Sequence, residues 1–285
     1  MVRSIARTML GGAALVSFGL SGCAGTYDLV TSQRFKDRPF HTLFHRDDPI
    51  QVLETVEEGD DRVRAMQDVK EPKQSGGTDA DQEKLLGILQ ASATTDRRPL
   101  CRLAAVETLA RFDDPRVSTI LITAYRNAAH DTPPAAGQPV TPAGALSGVR
   151  GAVSSFTPDT VTTIQCHVLT ALGKHRSADG LQLLVQVAAS RPPAKPALTP
   201  AGGVPAADPA APSESDRLDV RLAAIRALAS YENEAVAIQA LIGILQTERD
   251  VALRGRAHES LVKITGQDLE PDAKAWADWA ARRGR

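Results

Sequence analysis

The stretch VRLAAIRALASY, from Val220 to Tyr231, decides the fold because four other stretches repeat its pattern in the same register. They are DRVRAMQDVKEP from Asp61, CRLAAVETLARF from Cys101, IQCHVLTALGKH from Ile164 and LRGRAHESLVKI from Leu253. Positions one, five, six and nine of the pattern are mostly apolar, and this spacing places them on one face of an α-helix. The frequent alanine at position five allows neighbouring helices to approach closely. We therefore predict five copies of one helical unit.

A second set of amphipathic helices is predicted between these five. They begin at Asp47, Asp81, Asp114, Ala178 and Glu234. Aspartates before the apolar runs, and Pro49 and Pro115 just after two of them, are typical of helix N-termini. The two kinds of helix alternate along the chain without exception. The sequence therefore predicts an all-α protein built from five helix pairs.

The repeated pattern resembles the HEAT-repeat family. In that family the second helix of each pair carries a valine-arginine dipeptide, which Val220-Arg221 matches, with an aspartate six residues before the arginine. The resemblance implies a right-handed, HEAT/armadillo-like α-solenoid of antiparallel helix pairs over residues 47–285. It also implies a ladder in which acids in the turns pair with basic side chains along the stack. The corresponding residues are Asp96, Arg102, Asp159, Arg221, Glu248 and Arg254.

Two positions depart from the family pattern. Gln165 stands where the third copy should carry its arginine, and Ser215 stands six residues before Arg221, where an acid is expected. These rungs of the ladder are expected to be weaker, or Asp216 is expected to replace Ser215.

Two insertions lengthen the middle of the array. The last three intervals between the second positions of successive copies are 63, 56 and 33 residues. The excess lies at 131–157 and 191–215, which are rich in proline, alanine and glycine. Such compositions bury too little apolar surface to offset the entropy of ordering. We interpret both as flexible insertions on one edge of the solenoid, which either arose by neutral drift or take part in binding.

The carboxyl end is predicted to close the array. A helix is expected after Pro271, and Trp276 and Trp279 lie three residues apart on one of its faces. Because a terminal repeat leaves an apolar face open, this helix is interpreted as a cap, and a ligand-facing tryptophan pair is the alternative. His258, at an inward position, is expected to be a hydrogen-bonded core histidine.

The amino end has the features of an export signal. Arg3 and Arg7 precede an apolar run, Met9 to Leu20, that is too short to cross a bilayer. The following LSGC, Leu20 to Cys23, is similar to the lipobox of bacterial lipoproteins. The resemblance implies cleavage before Cys23 and acylation at that residue, and two or more acyl chains anchor a protein stably. The alternative is an ordinary signal peptide with a coincidental cysteine.

This interpretation divides the chain into a signal peptide at 1–22, a tether and irregular lead-in at 23–46, and the helical array. The protein would be lipid-anchored in the cell envelope. Ala24 follows the cysteine where an aspartate would favour retention in the inner membrane. The periplasmic side of the outer membrane is therefore favoured if the cell is Gram-negative.

Charge and composition exclude several function classes. The net charge is −1, and loss of two arginines with the signal peptide makes it −3, so no basic surface for nucleic acid is predicted. Aromatic residues make up only 4% of the chain, which disfavours surfaces that stack sugars or bases. No cofactor and no small-molecule substrate are predicted.

Candidate chemistry is sparse. His41 and His45 are four residues apart, but Pro39 argues against a helix that would align them for zinc, so no metal site is predicted. Cys101 and Cys166 lack metal-like spacing and are predicted to be buried structural thiols rather than a disulfide. The sequence has no phosphate-binding glycine loop and no HExxH motif.

The second helices would line the concave face of a HEAT array, and this face is the candidate binding surface. Its outward positions include Arg64, His167, Arg226 and Arg256, which we select as candidate contacts for a protein or peptide in the envelope. A solvated helix face with no ligand is the alternative. The predicted function is a membrane-tethered, non-enzymatic scaffold. A module of an enzyme, similar to the bilin-lyase relatives, and a purely structural envelope component are the other hypotheses.

Overall fold

The fold is described by a computed structural model, which covers residues 48–56, 59–130, 156–190 and 213–283. These ranges contain helices and connecting turns but no strands, so the all-α prediction is confirmed for them. Twelve helices lie in the described ranges: α1 Pro49–Thr55, α2 Gly59–Asp68, α3 Pro72–Ser75, α4 Asp79–Thr95, α5 Pro99–Leu109, α6 Arg116–His130, α7 Pro158–His175, α8 Ala178–Ala189, α9 Glu214–Leu228, α10 Ala235–Thr247, α11 Val251–Thr265 and α12 Ala273–Arg283.

Local sequence explains where several helices begin and end. Thr78 caps α4 and forms a capping box with Asp81, so this helix begins earlier than the predicted start at Asp81. Ser213 and Asp216 form the same box at the start of α9. Gly266 ends α11 in the left-handed conformation, with φ at 68°, as the sequence predicts.

The helices pack in two rows that follow the order of the chain. In one row α1, α4, α6, α8 and α10 each contact the next, and in the other α2, α5, α7, α9 and α11 do so. Each helix of the first row also contacts the following helix of the second row. We call these the first-helix row and the second-helix row. None of the described helices is long and apolar enough to cross a membrane.

The core lies between the two rows and consists of the predicted register positions. Positions five and nine are buried in all five copies, and position six is buried in all but the last. The buried residues at position five are Ala65, Ala105, Val168, Ala224 and Ala257. Small side chains at this position allow close helix packing. Two helices of the second-helix row approach closely at Gly173, where an added Cβ would lie 3.0 Å from the Cβ of Ala227 on the next helix of the row.

A buried arginine links consecutive helix pairs. Arg221 of α9 is 6% exposed, and its Nε and Nη2 donate hydrogen bonds to the carbonyl of Ala188, at the end of α8. The same side chain forms an ion pair with Glu248, which lies in the turn between α10 and α11. One guanidinium therefore joins its own pair to the next pair.

Arg62 makes the same kind of link at the other end of the array. Its Nη1 donates to the carbonyl of Leu53 in α1, and its Nη2 donates to the hydroxyl of Ser92 in α4. Its Nε lies 4.0 Å from the carboxylate of Asp96, which follows α4. The acid thus belongs to the pair after the one that supplies the arginine.

The remaining ladder residues are placed differently. Arg102 is 2% exposed and donates from Nε to the backbone carbonyl of Asp96, and its guanidinium lies 4.7 Å from the ring centroid of Phe156. Asp159 does not occupy the ladder position, because α7 begins at Pro158 and carries Asp159 exposed in its first turn. Arg254 is exposed on α11, and Glu248, six residues before it, pairs with Arg221 instead.

The last helix, α12, packs on α10 and covers the end of the core. Trp276 is fully buried, donates from Nε1 to the carbonyl of Glu270, and makes edge contacts with His258 and Trp279. The Nε2 of His258 lies 2.6 Å from the carbonyl of Leu269, so this histidine is hydrogen-bonded at the edge of the core. These contacts agree with the interpretation of α12 as a cap.

Most of the predicted insertions lie outside the described residues, as do the signal peptide, the lipobox, the tether and the two early histidines. Two boundaries of the insertions need correction. Phe156 is 5% exposed and packs on Arg102, so it belongs to the core rather than to the insertion at 131–157. Glu214 and Ser215 lie in the first turn of α9, because the capping box at Ser213 begins the helix there.

A buried polar cluster that the repeat pattern did not predict ties α3, α4 and α6 together. The Nε2 of Gln82 donates to the carboxylates of Glu71 and Asp114, at 2.9 and 3.2 Å. Arg116 donates to Asp114 from Nε and Nη2, each at 2.9 Å. The hydrogen bonds from Arg116 hold the pKa of Asp114 far below its ordinary value of 3.8.

The ion pair of Arg221 is expected to be a major contributor to stability. Glu248→Gln leaves the buried guanidinium without its counter-charge and should lower the free energy of unfolding by about 3 kcal/mol. Urea denaturation followed by circular dichroism measures this. The matched control is Glu259→Gln, which removes an exposed partner of Arg256 and should cost less than about 1 kcal/mol. Equal losses in the two variants would contradict the bridging role.

Asp114 should contribute to resistance against acid. Because its pKa is lowered by folding, its ionised form stabilises the fold above about pH 4, and this contribution is lost as the pH falls through the lowered pKa. Asp114→Asn should therefore destabilise the protein at pH 7 by about 1–3 kcal/mol and weaken the decline in stability between about pH 4 and 2. The neighbouring Asp113→Asn, at an exposed position, should cost less than about 1 kcal/mol at pH 7. Unfolding midpoints measured across pH test both.

Candidate functional site

A groove of about 630 Å³ lies on the second-helix row, along α5, α7 and α9. It is open to solvent, because the side chains of Glu107, His167, Thr170 and Arg226 on its walls are exposed. These three helices supply most of its lining, and Gln67 of α2 adds one residue at the edge, so the surface is continuous across consecutive helix pairs. We call it the central groove.

The central groove contains two of the four residues that the sequence selected. His167 and Arg226 line it, on α7 and α9. Arg64 lies on α2 and is not among its lining residues. Arg256 lies on α11, where its Nη1 is 2.6 Å from the carboxylate of Glu259 on the same helix. Of the four predicted residues, the two on the central helices therefore lie in the groove, and Arg64 and Arg256 lie outside it.

The groove has apolar inner walls. Val106, Ala171 and Ala223 are buried in it, and Leu222 and Cys166 are half-buried. Ala223 lines the groove although it is only 5% exposed. The helices of the row pack at these small residues, which removes their side chains from solvent.

Charged groups of both signs surround these apolar walls. The acids are Glu107, Asp159 and Asp219, and the bases are Arg111, Lys174 and Arg226, with His167 between them. Nδ1 of His167 lies 3.4 Å from the carboxylate of Glu107. Arg111 donates to the carbonyls of Met66 and Gln67 at the end of α2, so its guanidinium is already bound to backbone.

Three threonines of α7 also line the groove, and the sequence analysis did not single them out. Thr163 and Thr170 donate their hydroxyl protons to backbone carbonyls one turn earlier in the same helix, and Thr162 is buried. Their oxygen atoms still have lone pairs that can accept hydrogen bonds from a ligand. The available signal was that Thr163 and Thr170 lie four residues before and three residues after His167, which places all three on one face of α7.

The two cysteines in the described ranges are free thiols, but only one is buried as predicted. Cys101 is fully buried, with Sγ 3.8 Å from the carbonyl of Gly59. Cys166 is half-buried and lies in the wall of the groove, which corrects the prediction of a core position. Burial raises the pKa of each thiol to about 11, so both are neutral at physiological pH.

The groove offers charged groups, hydroxyl oxygens and apolar walls. Its thiol is not ionised at neutral pH, as a cysteine nucleophile would need to be. Within the described ranges no group of three or more histidine, cysteine or acidic side chains is arranged to hold a metal ion.

Comparison with known proteins adds no relative. No family model, no curated protein and no solved structure matches the chain.

The reactivity of Cys166 tests its placement in the groove wall. In a chain carrying Cys23→Ala, iodoacetamide should label Cys166 faster than Cys101, because only Cys166 is partly exposed. The rate should keep rising between pH 9 and about pH 11, because the pKa of the thiol is raised to about 11. Mass spectrometry of peptides after timed labelling measures both rates. A plateau near pH 9 would show an ordinary, solvated thiol instead.

Proposed function

We propose that the protein is a lipid-anchored, non-enzymatic scaffold of the cell envelope, and that its second-helix row presents the central groove to a protein or peptide partner. The observation that carries this proposal is the groove itself, which consecutive helices of one row, chiefly α5, α7 and α9, build as a continuous open surface. A surface of this kind displays side chains to a partner without enclosing a reacting group.

We further propose that the two rows form a right-handed α-solenoid of the HEAT type. The contacts of each helix with its successor in the same row support this arrangement. The parallel roles of Arg62 and Arg221 support it too, because each arginine bonds to the first helix of its own pair and approaches an acid of the next. In such an array the second-helix row forms the concave face, where the groove lies.

The membrane anchor is proposed from the Leu20–Cys23 motif. Acylation at Cys23 would tether the array to the envelope, with the outer membrane favoured in a Gram-negative cell. Tethering raises the effective concentration of the groove for partners at the same membrane. A scaffold with few strong contacts can then bind a membrane-associated partner that it would not hold in free solution.

The first experiment is site-specific photocrosslinking of the full-length protein in its own cells. A photoreactive amino acid replaces His167 or Arg226 in the groove, and Gln182, exposed on α8 in the first-helix row, is the control position. We expect one partner to be captured from both groove positions and not from the control. The Cys23→Ala variant should leave the membrane fraction and capture the partner at least about tenfold less well.

Three results would contradict the proposal. Capture that is equally strong from Gln182 would argue against the groove as the binding surface. A Cys23→Ala protein that stays in the membrane would refute the anchor. Turnover of a small molecule by the purified protein, abolished by substitutions in the groove, would refute the non-enzymatic assignment.

A further inference from the structure

The central groove has two ends of opposite charge, and this charge distribution indicates the class of ligand that would fit it. We infer that it binds an extended peptide segment with a basic side chain near one end, an acidic side chain near the other, and apolar residues between them. The inference rests on the proposed function, because it specifies the ligand chemistry of the same groove.

The helices that build the groove run in the same direction. Nε2 of His175, the last residue of α7, lies 3.1 Å from the carbonyl of Leu109, the last residue of α5. The hydroxyl of Tyr231, just after α9, donates to the carbonyls of Leu172 and Ser177 near the end of α7. The carboxyl ends of α5, α7 and α9 therefore lie together at one end of the groove, and their amino ends point towards the other.

Acidic and basic side chains are separated along this direction. Asp159 lies in the first turn of α7, and Asp219 lies in the amino-terminal half of α9. Lys174 and Arg226 lie in the last turns of the same two helices. Charges in this order complement the helix dipole, and parallel stacking aligns them into one acidic and one basic end.

Arg111 and Glu107 complete the basic end of the groove. Arg111 follows the last residue of α5 by two positions and adds a third cation there. Glu107, near the end of α5, is the exception in sign, and His167 lies 3.4 Å from its carboxylate. The basic end therefore keeps an excess of positive charge.

The four charges that define the two ends are available to a ligand. Within the described residues, no hydrogen bond or ion pair engages the carboxylates of Asp159 and Asp219, the ammonium of Lys174 or the guanidinium of Arg226. By contrast, Arg111 is bound to carbonyls of α2. A ligand with a positive group at one end and a negative group at the other could pair with the two aspartates and with Lys174 and Arg226 at the same time.

The length of the groove sets the spacing within the ligand. Asp159 and Lys174 are 15 residues apart in α7, which corresponds to about 22 Å along a helix. An extended peptide rises about 3.3 Å per residue, so roughly seven residues span this length. Between the charged ends, the walls offer Val106, Ala171 and Leu222, which favour apolar side chains in the middle of the peptide.

Synthetic peptides test the inference with the intact protein in detergent. The probe is a fluorescent, end-blocked peptide of about nine residues, with arginine and aspartate six positions apart and alanine, valine and threonine between them. Comparison peptides replace the charged pair by glutamine and asparagine, by two arginines, or by two aspartates. In anisotropy titrations we expect the dipolar peptide to bind about tenfold more tightly than each comparison peptide.

Matched variants assign the two ends. Lys174→Gln should reduce the preference for aspartate over asparagine in the peptide about threefold, and Asp159→Asn combined with Asp219→Asn should do the same for arginine over glutamine. Lys263→Gln on α11 and Asp179→Asn on α8 remove exposed charges outside the groove and should change neither preference.

The outcomes separate this inference from the proposed function. If the neutral peptide or a same-charge peptide binds as tightly as the dipolar one, or if no peptide binds, the inference is overturned. The proposed function still stands in those cases if crosslinks from His167 and Arg226 capture an envelope protein. If that capture also fails, both are wrong.

Discussion

The packing of consecutive helix pairs depends on a guanidinium group. In two of the pairs, an arginine of the second helix connects its own pair to the pair that follows. Arg221 and Arg62 each bond to the first helix of their own pair and reach towards an acid of the following pair. A single helix pair cannot bury its own apolar face, so the contact between pairs determines stability. The buried arginine adds direction to this contact, because its planar donors require acceptors from both neighbours.

The repeat register could be predicted from sequence because burial recurs at fixed positions of an amphipathic helix. The same periodicity predicted the hydrogen-bonded His258 and the buried Trp276. Contacts between side chains far apart in sequence could not be predicted in this way. The aromatic ring of Phe156 lies against the guanidinium of Arg102, and the register contains no information about that contact. The cluster around Asp114 connects α4 to the segments that precede α3 and α6, and its residues do not belong to the repeated register.

The sequence predicted two residues of the candidate binding surface, but not how far the groove extends. Outward positions on the second helices identified His167 and Arg226, but helical periodicity does not say how closely neighbouring helices approach. Where alanine occupies the contact, the helices close over positions that a single helix would expose, as at Ala223. The same approach leaves Cys166 half-exposed in the wall. The width of the groove is thus set by contacts between helix pairs, so it cannot be predicted from the sequence of a single repeat.

Gly173 shows how the dimensions of the groove depend on the packing of neighbouring helices. A Cβ at this position would lie 3.0 Å from the Cβ of Ala227 and 3.1 Å from its carbonyl oxygen, nearer than most side chains tolerate. The hydrogen atom that glycine places there is what keeps α7 and α9 at their present separation. Both helices also form walls of the central groove. A larger residue at position 173, on the packed side, would therefore change the distance between the charged side chains of α7 and α9 on the open side, although Gly173 itself does not line the groove.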